Sequence, residues 1–315
     1  MLNEIQERGS LVCGSNASAP GMGSLNADGE FEGFDIDLCR AVAAAVLGDA
    51  GAAEFRTLTS QDRFTAVQTG EVDVLIRNTT WTSSRDSTVG LNFTQTTFYD
   101  GQGFLVRADS GIETLADFEG RSICVSPGTT TELNLADTME ALGIDYNAII
   151  IENADQIVTS YDDGVCDSLT NDRSGLVGTR TRLRDPSAHE ILDVTISKEP
   201  LGPSVLQGDD IWFDAVKWIV FGLISAEEMG ITSENVMEVA ASSQDPNVQR
   251  MLGVEGDNIT GLGLSADAIL QAIAQVGNYG EIYARNLGPD TPFNIARGLN
   301  AQWYEGGLMY SPPFR

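Results

Sequence analysis

The sequence predicts an α/β protein of two similar units, each built on a parallel sheet. Three observations carry that prediction. A strand-helix-strand-helix-strand series occurs twice, the order in which helices cover a parallel sheet. The helix-to-strand passages match in detail, Gly70-Glu71-Val72-Asp73 in the first half and Gly164-Val165-Cys166-Asp167 in the second. Two extended stretches, Asn92 to Arg107 and Lys198 to Leu206 with its two prolines, can each cross between the units and together form a hinge.

In chain order, Leu11 to Ser15 reads as the first strand and Asn16 to Gly29 as a Gly/Pro/Asn-rich loop too long for a simple turn, hence a candidate binding loop that includes Asn16. Asp35 is placed as the N-cap of a helix whose apolar face runs from Ile36 to Leu47 and which stops at Gly48. A strand over Ala53 to Leu58 and a helix over Ser60 to Thr69 follow, and Gly70 hands the chain to the strand before Arg85. The second unit places strands at 121–126, 148–151 and 166–170, with helices at 129–142 and 153–163. The latter helix opens on an Asn153/Gln156 capping box. Beyond Asp209 the pattern turns helical, with helices expected over 212–229, 233–242, 246–252 and 265–285. The expected division is therefore 1–103 for the first part of lobe 1, 104–200 for lobe 2, and 201–315 for the return to lobe 1 with a helical C-terminal extension. The tail, with Trp303, Tyr304 and Tyr310, is expected to be a surface strap whose rings pack against the protein.

The stretch around which the first unit is organised is Asp73 to Asp86, DVLIRNTTWTSSRD. An apolar strand delivers Asn78, Thr79, Thr80, Thr82, Ser83 and Ser84 to one place and closes on Arg85. Hydroxyls bond directionally, and a guanidinium fork matches the two oxygens of a carboxylate, so the stretch reads as a carboxylate or small-anion receptor. The competing reading is a Thr/Ser-rich loop that satisfies its own backbone, with Arg85 in solvent. Strand ends of such sheets are where ligands bind, and the matching end of the second unit carries Asp172. Gly128-Thr129-Thr130-Thr131 opens a helix there, and the amides at such a turn suit an anion. A carboxylate clamp facing an acid describes an α-amino acid.

Composition narrows the classes. With 46 acidic and 18 basic residues the net charge is −28, which repels nucleic acid and anionic membrane surfaces. No apolar run approaches the ~20 residues of a membrane span. The N-terminal MLNEIQERGSL lacks a basic region followed by an apolar core, so a secretory signal is absent or has been removed. The four cysteines group by region, which suggests disulfides Cys13–Cys39 and Cys124–Cys166 in an oxidising compartment; four buried thiols in a cytoplasmic protein is the alternative. With one histidine, His189, and no Cys/His metal spacing, neither a metal site nor a cofactor is expected. His189 itself is expected at the surface.

At this point the residues resemble the periplasmic solute-binding proteins of polar amino-acid ABC importers. The resemblance rests on GFDIDLCRAV (33–42), RFTAVQTGEVDVL (63–75), RNTTWTSSRD (77–86), ICVSPGTTTELN (123–134), VGNYGEIYARNLGP (276–289) and GGLMYSPPFR (306–315). The RNTTWT form, the four cysteines and the long helical C-terminus look like the general L-amino acid-binding branch. The resemblance implies the two-domain periplasmic binding protein fold (type II), with two parallel-sheet lobes joined by a two-strand hinge. It implies that Arg85 binds the ligand α-carboxylate with Thr80 and Thr130, and that Asp172 binds the α-ammonium with Asn78; Thr129 and Asn16 complete the expected set. The implied partners are a free L-amino acid and a membrane permease, and the implied state is a periplasmic monomer.

Side-chain selectivity rests on fewer residues. The loop NASAPGMG (16–23) has neither the acid nor the ring that single-substrate relatives place there. Arg77 either favours aspartate and glutamate or bridges the domains structurally. Trp81 is either a pocket wall or core. A ligand sensor domain or an enzyme on the same fold is the alternative function, though one histidine in a polar connection offers no nucleophile–base pair.

Overall fold

The computed structural model describes residues 1–256 and 259–315. Two five-stranded sheets form two lobes. The first has the order Ala53–Thr57, Leu11–Ser15, Val74–Leu75, Ser204–Leu206, Leu91–Phe93; the second has Asn147–Ile150, Ser122–Val125, Ser168–Asp172, Gln102–Arg107, His189–Ile191. In each, the first three strands are parallel, the fourth runs against them, and the fifth, antiparallel to the fourth, points the same way as the first three. The fourth strand is the one that arrives from the other lobe, so each sheet is mixed where a crossing feeds it. Between the lobes Phe98–Asp100 and Glu199–Leu201 pair antiparallel, Glu199 opposite Asp100, as a two-stranded hinge.

The largest core belongs to the first lobe. The helix Phe34–Leu47 is buried along nearly all its length and packs on Ala268–Val276 and Asp210–Glu228. It starts two residues earlier than its sequence suggests. Gly33, at φ 130°, is the N-cap; a Cβ there would lie 2.4 Å from the Met22 carbonyl oxygen, so only glycine fits. Asp35 is therefore not the cap but sits in the first turn, free to bond elsewhere. The helix expected over 60–69 contracts to Arg63–Gln68, because Thr59 Oγ1 accepts the amides of Gln61 and Asp62 and holds that stretch as a turn. The helix expected over 265–285 is two, Ala268–Val276 and Tyr279–Leu287. Gly277 breaks it and Asn278 restarts it through a reciprocal bond pair with Glu281.

Both cysteine pairs are bonded as their regional grouping suggests, with Cα separations of 6.4 Å for Cys13–Cys39 and 5.7 Å for Cys124–Cys166. Each staples a strand of one lobe, Leu11–Ser15 or Ser122–Val125, to a neighbouring segment of the same lobe. His189 is not a surface residue. It lies in an edge strand, is buried, and its Nδ1 meets the Tyr161 hydroxyl at 2.8 Å; burial holds its pKa below the usual value. Trp81 is neither core nor pocket wall: it is 38% exposed, stacks on Phe93 and donates to Asp86. The tail rings Trp303, Tyr304 and Tyr310 pack on one another and stay exposed, so the expected surface strap carries an exposed ring cluster in place of rings packed into the protein.

Candidate functional site

A cleft of ≈ 700 Å³ separates the lobes, within the range of small-molecule sites. From lobe 1 its wall takes Asn16, Ser60, Arg63, Arg77, Asn78 and Thr80; from lobe 2 it takes Thr129, Thr130, Asn171, Asp172 and Arg182. Seven of the eight expected ligand residues thus share one cavity. Arg85 is the exception, lying one layer behind Thr80 with its Nη1 donating to the Thr80 carbonyl.

The lobe 1 side is set by an irregular turn at the end of Val74–Leu75. Asn78 adopts φ 31°, unusual for a residue with a side chain, and its amide donates to Asp35 Oδ2 at 2.6 Å. Asp35, released from capping, is what holds that turn. Burial lifts its pKa to about 7, against the Asn78 bond and the nearby Arg77 guanidinium. Asn16 reaches the Asn78 side chain at 3.5 Å. Arg77 donates through Nε to the Leu58 carbonyl at 2.8 Å and through Nη2 to Ser60 Oγ at 3.4 Å, so its bonds stay within lobe 1 and it does not bridge the domains. Arg85 and Arg63 both lie over the Phe64 ring, at 5.0 and 4.8 Å. Burial draws Arg77 and Arg85 down to about 10 and Arg63 well below its ordinary value.

The lobe 2 side is acidic. Asp172 ends the strand Ser168–Asp172, buried, with Asp100 and Glu199 nearby; burial first, then those two carboxylates, pushes its pKa well up. Thr129 caps the helix Thr130–Leu142, its Oγ1 accepting the Glu132 amide and donating to Ser126, so that hydroxyl is already engaged. Among the described residues, none of Arg63, Arg77 or Arg85 makes an ion pair, and neither does Asp172, Asp100 or Glu199. Buried guanidinia on one wall and a buried carboxylate on the other thus face a common space unpaired, an arrangement that stands only if something else supplies the opposite charges.

The lobes are in contact. Thr80 Oγ1 lies 3.2 Å from Thr130 Oγ1, and Arg182 donates to the Ser18 carbonyl at 3.2 Å. Gly178 admits Pro20 so closely that a Cβ there would stand 2.6 Å from the Pro20 carbonyl oxygen. At the centre is Glu199, on the hinge and almost wholly buried. It accepts from Thr80 (2.5 Å), Thr130 (2.9 Å), Asn134 (2.7 Å) and Ser197 (2.6 Å), tying both lobes to one carboxylate.

Residues 11–289 match the model of the bacterial extracellular solute-binding proteins, family 3. The chain belongs to that family. Two solute-binding relatives of known assignment match it over its full length. It is 48% identical to the general L-amino acid-binding periplasmic protein AapJ of Rhizobium johnstonii, covering 92% of that protein. It is 48% identical to the glutamate/glutamine/aspartate/asparagine-binding protein BztA of Rhodobacter capsulatus, covering 93%. Among solved structures, a periplasmic binding protein of an ABC transporter from Brucella ovis, with glutathione bound, superposes with a TM-score of 0.97 at 48% identity. That match covers all of this chain and 99% of the other. The two-lobed family 3 fold therefore accounts for both the sheets and the hinge.

Sequence reasoning missed Glu199, Arg63 and Arg182. Glu199 carries a signal, the one acid in the mostly apolar crossing KEPLGPSVL. Arg63 carries one too, a cation at the start of a helix, where the backbone dipole disfavours it. Arg182 lies in the polar segment after the second-lobe strand, where charge is common, and nothing in the sequence distinguishes it.

Proposed function

We propose that this protein is the solute-capturing component of an ABC importer, that it works in the periplasm as a monomer, and that it takes up free L-amino acids. The lobes divide as 1–103 with 201–315, and 104–200, except that Gln102 and Gly103 open the second-lobe strand Gln102–Arg107. Thr80 and Thr130 receive the α-carboxylate, with Arg85 behind Thr80 supplying its countercharge; Asp172, with Asn78, receives the α-ammonium; Arg77, Thr129 and Asn16 frame the side chain. The observation that carries the reading is the unpaired opposition of charges across the cleft, because a zwitterion supplies both missing partners at once. The names of the full-length relatives support the same class. Closure does the work: contacts from both walls exist only in the closed form, so ligand shifts the lobes toward it, and the closed form is what a membrane permease would recognise. The site is read as binding and not catalytic, since its carboxylates and guanidinia are used to hold charge.

A second ligand class is favoured by the size of the cleft, which exceeds what a free amino acid fills, and by the glutathione in the Brucella neighbour. γ-Glutamyl peptides present the same α-amino and α-carboxylate groups, with a longer tail for the outer cleft. A thermal-shift panel of proteinogenic L-amino acids, several D-amino acids, glutathione, phosphate and dicarboxylates, on protein refolded free of ligand, tests both. At a hundredfold excess over Kd a ligand adds about 2.7 kcal/mol, which raises Tm by several degrees. Shifts from many L-amino acids and none from phosphate are expected; no shift from any compound bearing an α-amino acid group would defeat the proposal.

A further inference from the structure

Arg63 has too few partners for a buried guanidinium. It is 3% exposed, lines the cleft between Ser60 and Arg77, and sits 4.8 Å over the Phe64 ring. Of its five N–H groups, one reaches Thr79 Oγ1 at a long 3.4 Å, while the buried Nε has no partner at all. The two neighbouring arginines are differently placed. Arg77 is tied to the Leu58 carbonyl and Arg85 to the Thr80 carbonyl, whereas Arg63 is the one whose fork remains open to the cleft. Two like charges over a single ring, with a third beside them and no carboxylate at ion-pair distance among the described residues, repel one another; Arg77 and Arg85 add to burial in holding the Arg63 pKa down. One ligand α-carboxylate offsets one of these charges. The rest calls for a second anion on the same wall.

We propose that Arg63 determines specificity by pairing with a second carboxylate on the ligand, so that the cleft prefers dicarboxylic α-amino acids over their amides. This rests on the amino-acid reading of the site. A planar fork with free N–H groups in a dry wall discriminates strongly between a carboxylate, which only accepts, and a carboxamide, whose NH₂ would face the fork's own donors. Glutamate and glutamine differ in that respect while keeping the same shape, which makes them the natural pair of probes.

The experiment is calorimetric titration of the ligand-free protein with L-glutamate, L-glutamine, L-aspartate and L-asparagine, repeated on Arg63→Gln and Arg63→Lys. In the native protein glutamate should bind at least about tenfold tighter than glutamine, the size of discrimination a site built around a charged group supports. Arg63→Gln should lose glutamate and aspartate affinity about tenfold more than glutamine and asparagine affinity, and Arg63→Lys should recover part of the preference as a point charge. Equal affinity of the native protein for glutamate and glutamine overturns the inference, as does an equal loss of all four ligands in Arg63→Gln. If Arg63→Gln does not fold, the native ratio and Arg63→Lys decide alone. Binding of glutamine without preference for glutamate defeats this inference and leaves the proposed function standing; absence of binding by all four, with glutathione also inert, defeats the function itself.

Discussion

Asp172→Asn weakens amino-acid binding by about two to four decades, the equivalent of the 3–5 kcal/mol lost when one partner of a desolvated charge pair is removed. The asparagine keeps the shape of the side chain, so the loss reports charge. Asp172 is buried, faces two other carboxylates and has no basic side chain at ion-pair distance among the described residues, and in the proposed reading the ligand ammonium supplies its cation. Arg85→Ala should cost a comparable amount from the carboxylate side.

The protonation chemistry gives a second readout. Because the Asp172 pKa is raised in the ligand-free fold, its contribution to stability is fully present below the unfolded carboxylate value and is lost as pH rises through the folded value. A bound ammonium reverses this by favouring the ionised form. Binding should therefore release protons at pH values below the raised Asp172 pKa of the ligand-free protein and above its lowered value in the complex, seen as a buffer-dependent heat of titration that Asp172→Asn abolishes. Near-native affinity in both Asp172→Asn and Arg85→Ala would remove the clamp from the account.

Glu199→Ala should be the next most damaging change, and for a different reason. Its carboxylate does not line the cleft, yet it accepts from the wall residues Thr80 on one lobe and Thr130 on the other, and from Asn134. Bonds to a charged group contribute about 1.5–3 kcal/mol each, and those that span lobes exist only when the lobes are closed. Losing them moves the open–closed equilibrium toward open, and apparent affinity falls by the fraction of closed protein that disappears, about one to two decades. Glu199 is thus a positioning residue, and its signature separates it from a ligand contact. Small-angle scattering should give Glu199→Ala a larger ligand-free radius of gyration than the native protein, with saturating ligand restoring closure; Glu199→Gln, which keeps one acceptor oxygen, should fall between. An unchanged radius with reduced affinity would assign Glu199 a direct role instead.

The sequence makes the fold legible because its signals are local and repeated. Gly70 and Gly164 end helices and hand the chain to strands in the same way, and the alternation of units follows from that. The site is legible to the extent that residues lie at or just past strand ends, as Asp172 and Thr80 do, or open a helix there, as Thr130 does. What escapes depends on long-range packing. Asp35 reads as a cap until the close approach of Met22 to Gly33 moves the helix start and turns the carboxylate to Asn78. His189 reads as polar surface until Tyr161 covers it, and Trp81 reads as interior until the chain folds it outward onto Phe93. Glu199 and Arg63 gain meaning only from what surrounds them: a carboxylate with four donors, and a guanidinium with almost no acceptors.

The central claim is that the cleft recognises a zwitterion by its two charges separately. Titration of the ligand-free protein with L-glutamate, with glutarate, which lacks the ammonium, and with γ-aminobutyrate, which lacks the α-carboxylate, tests it most directly. Each deletion should cost about two decades or more of affinity, since each leaves a buried group of the protein unpaired. Glutarate binding as tightly as glutamate would contradict the account, because Asp172 would then have no ammonium to hold.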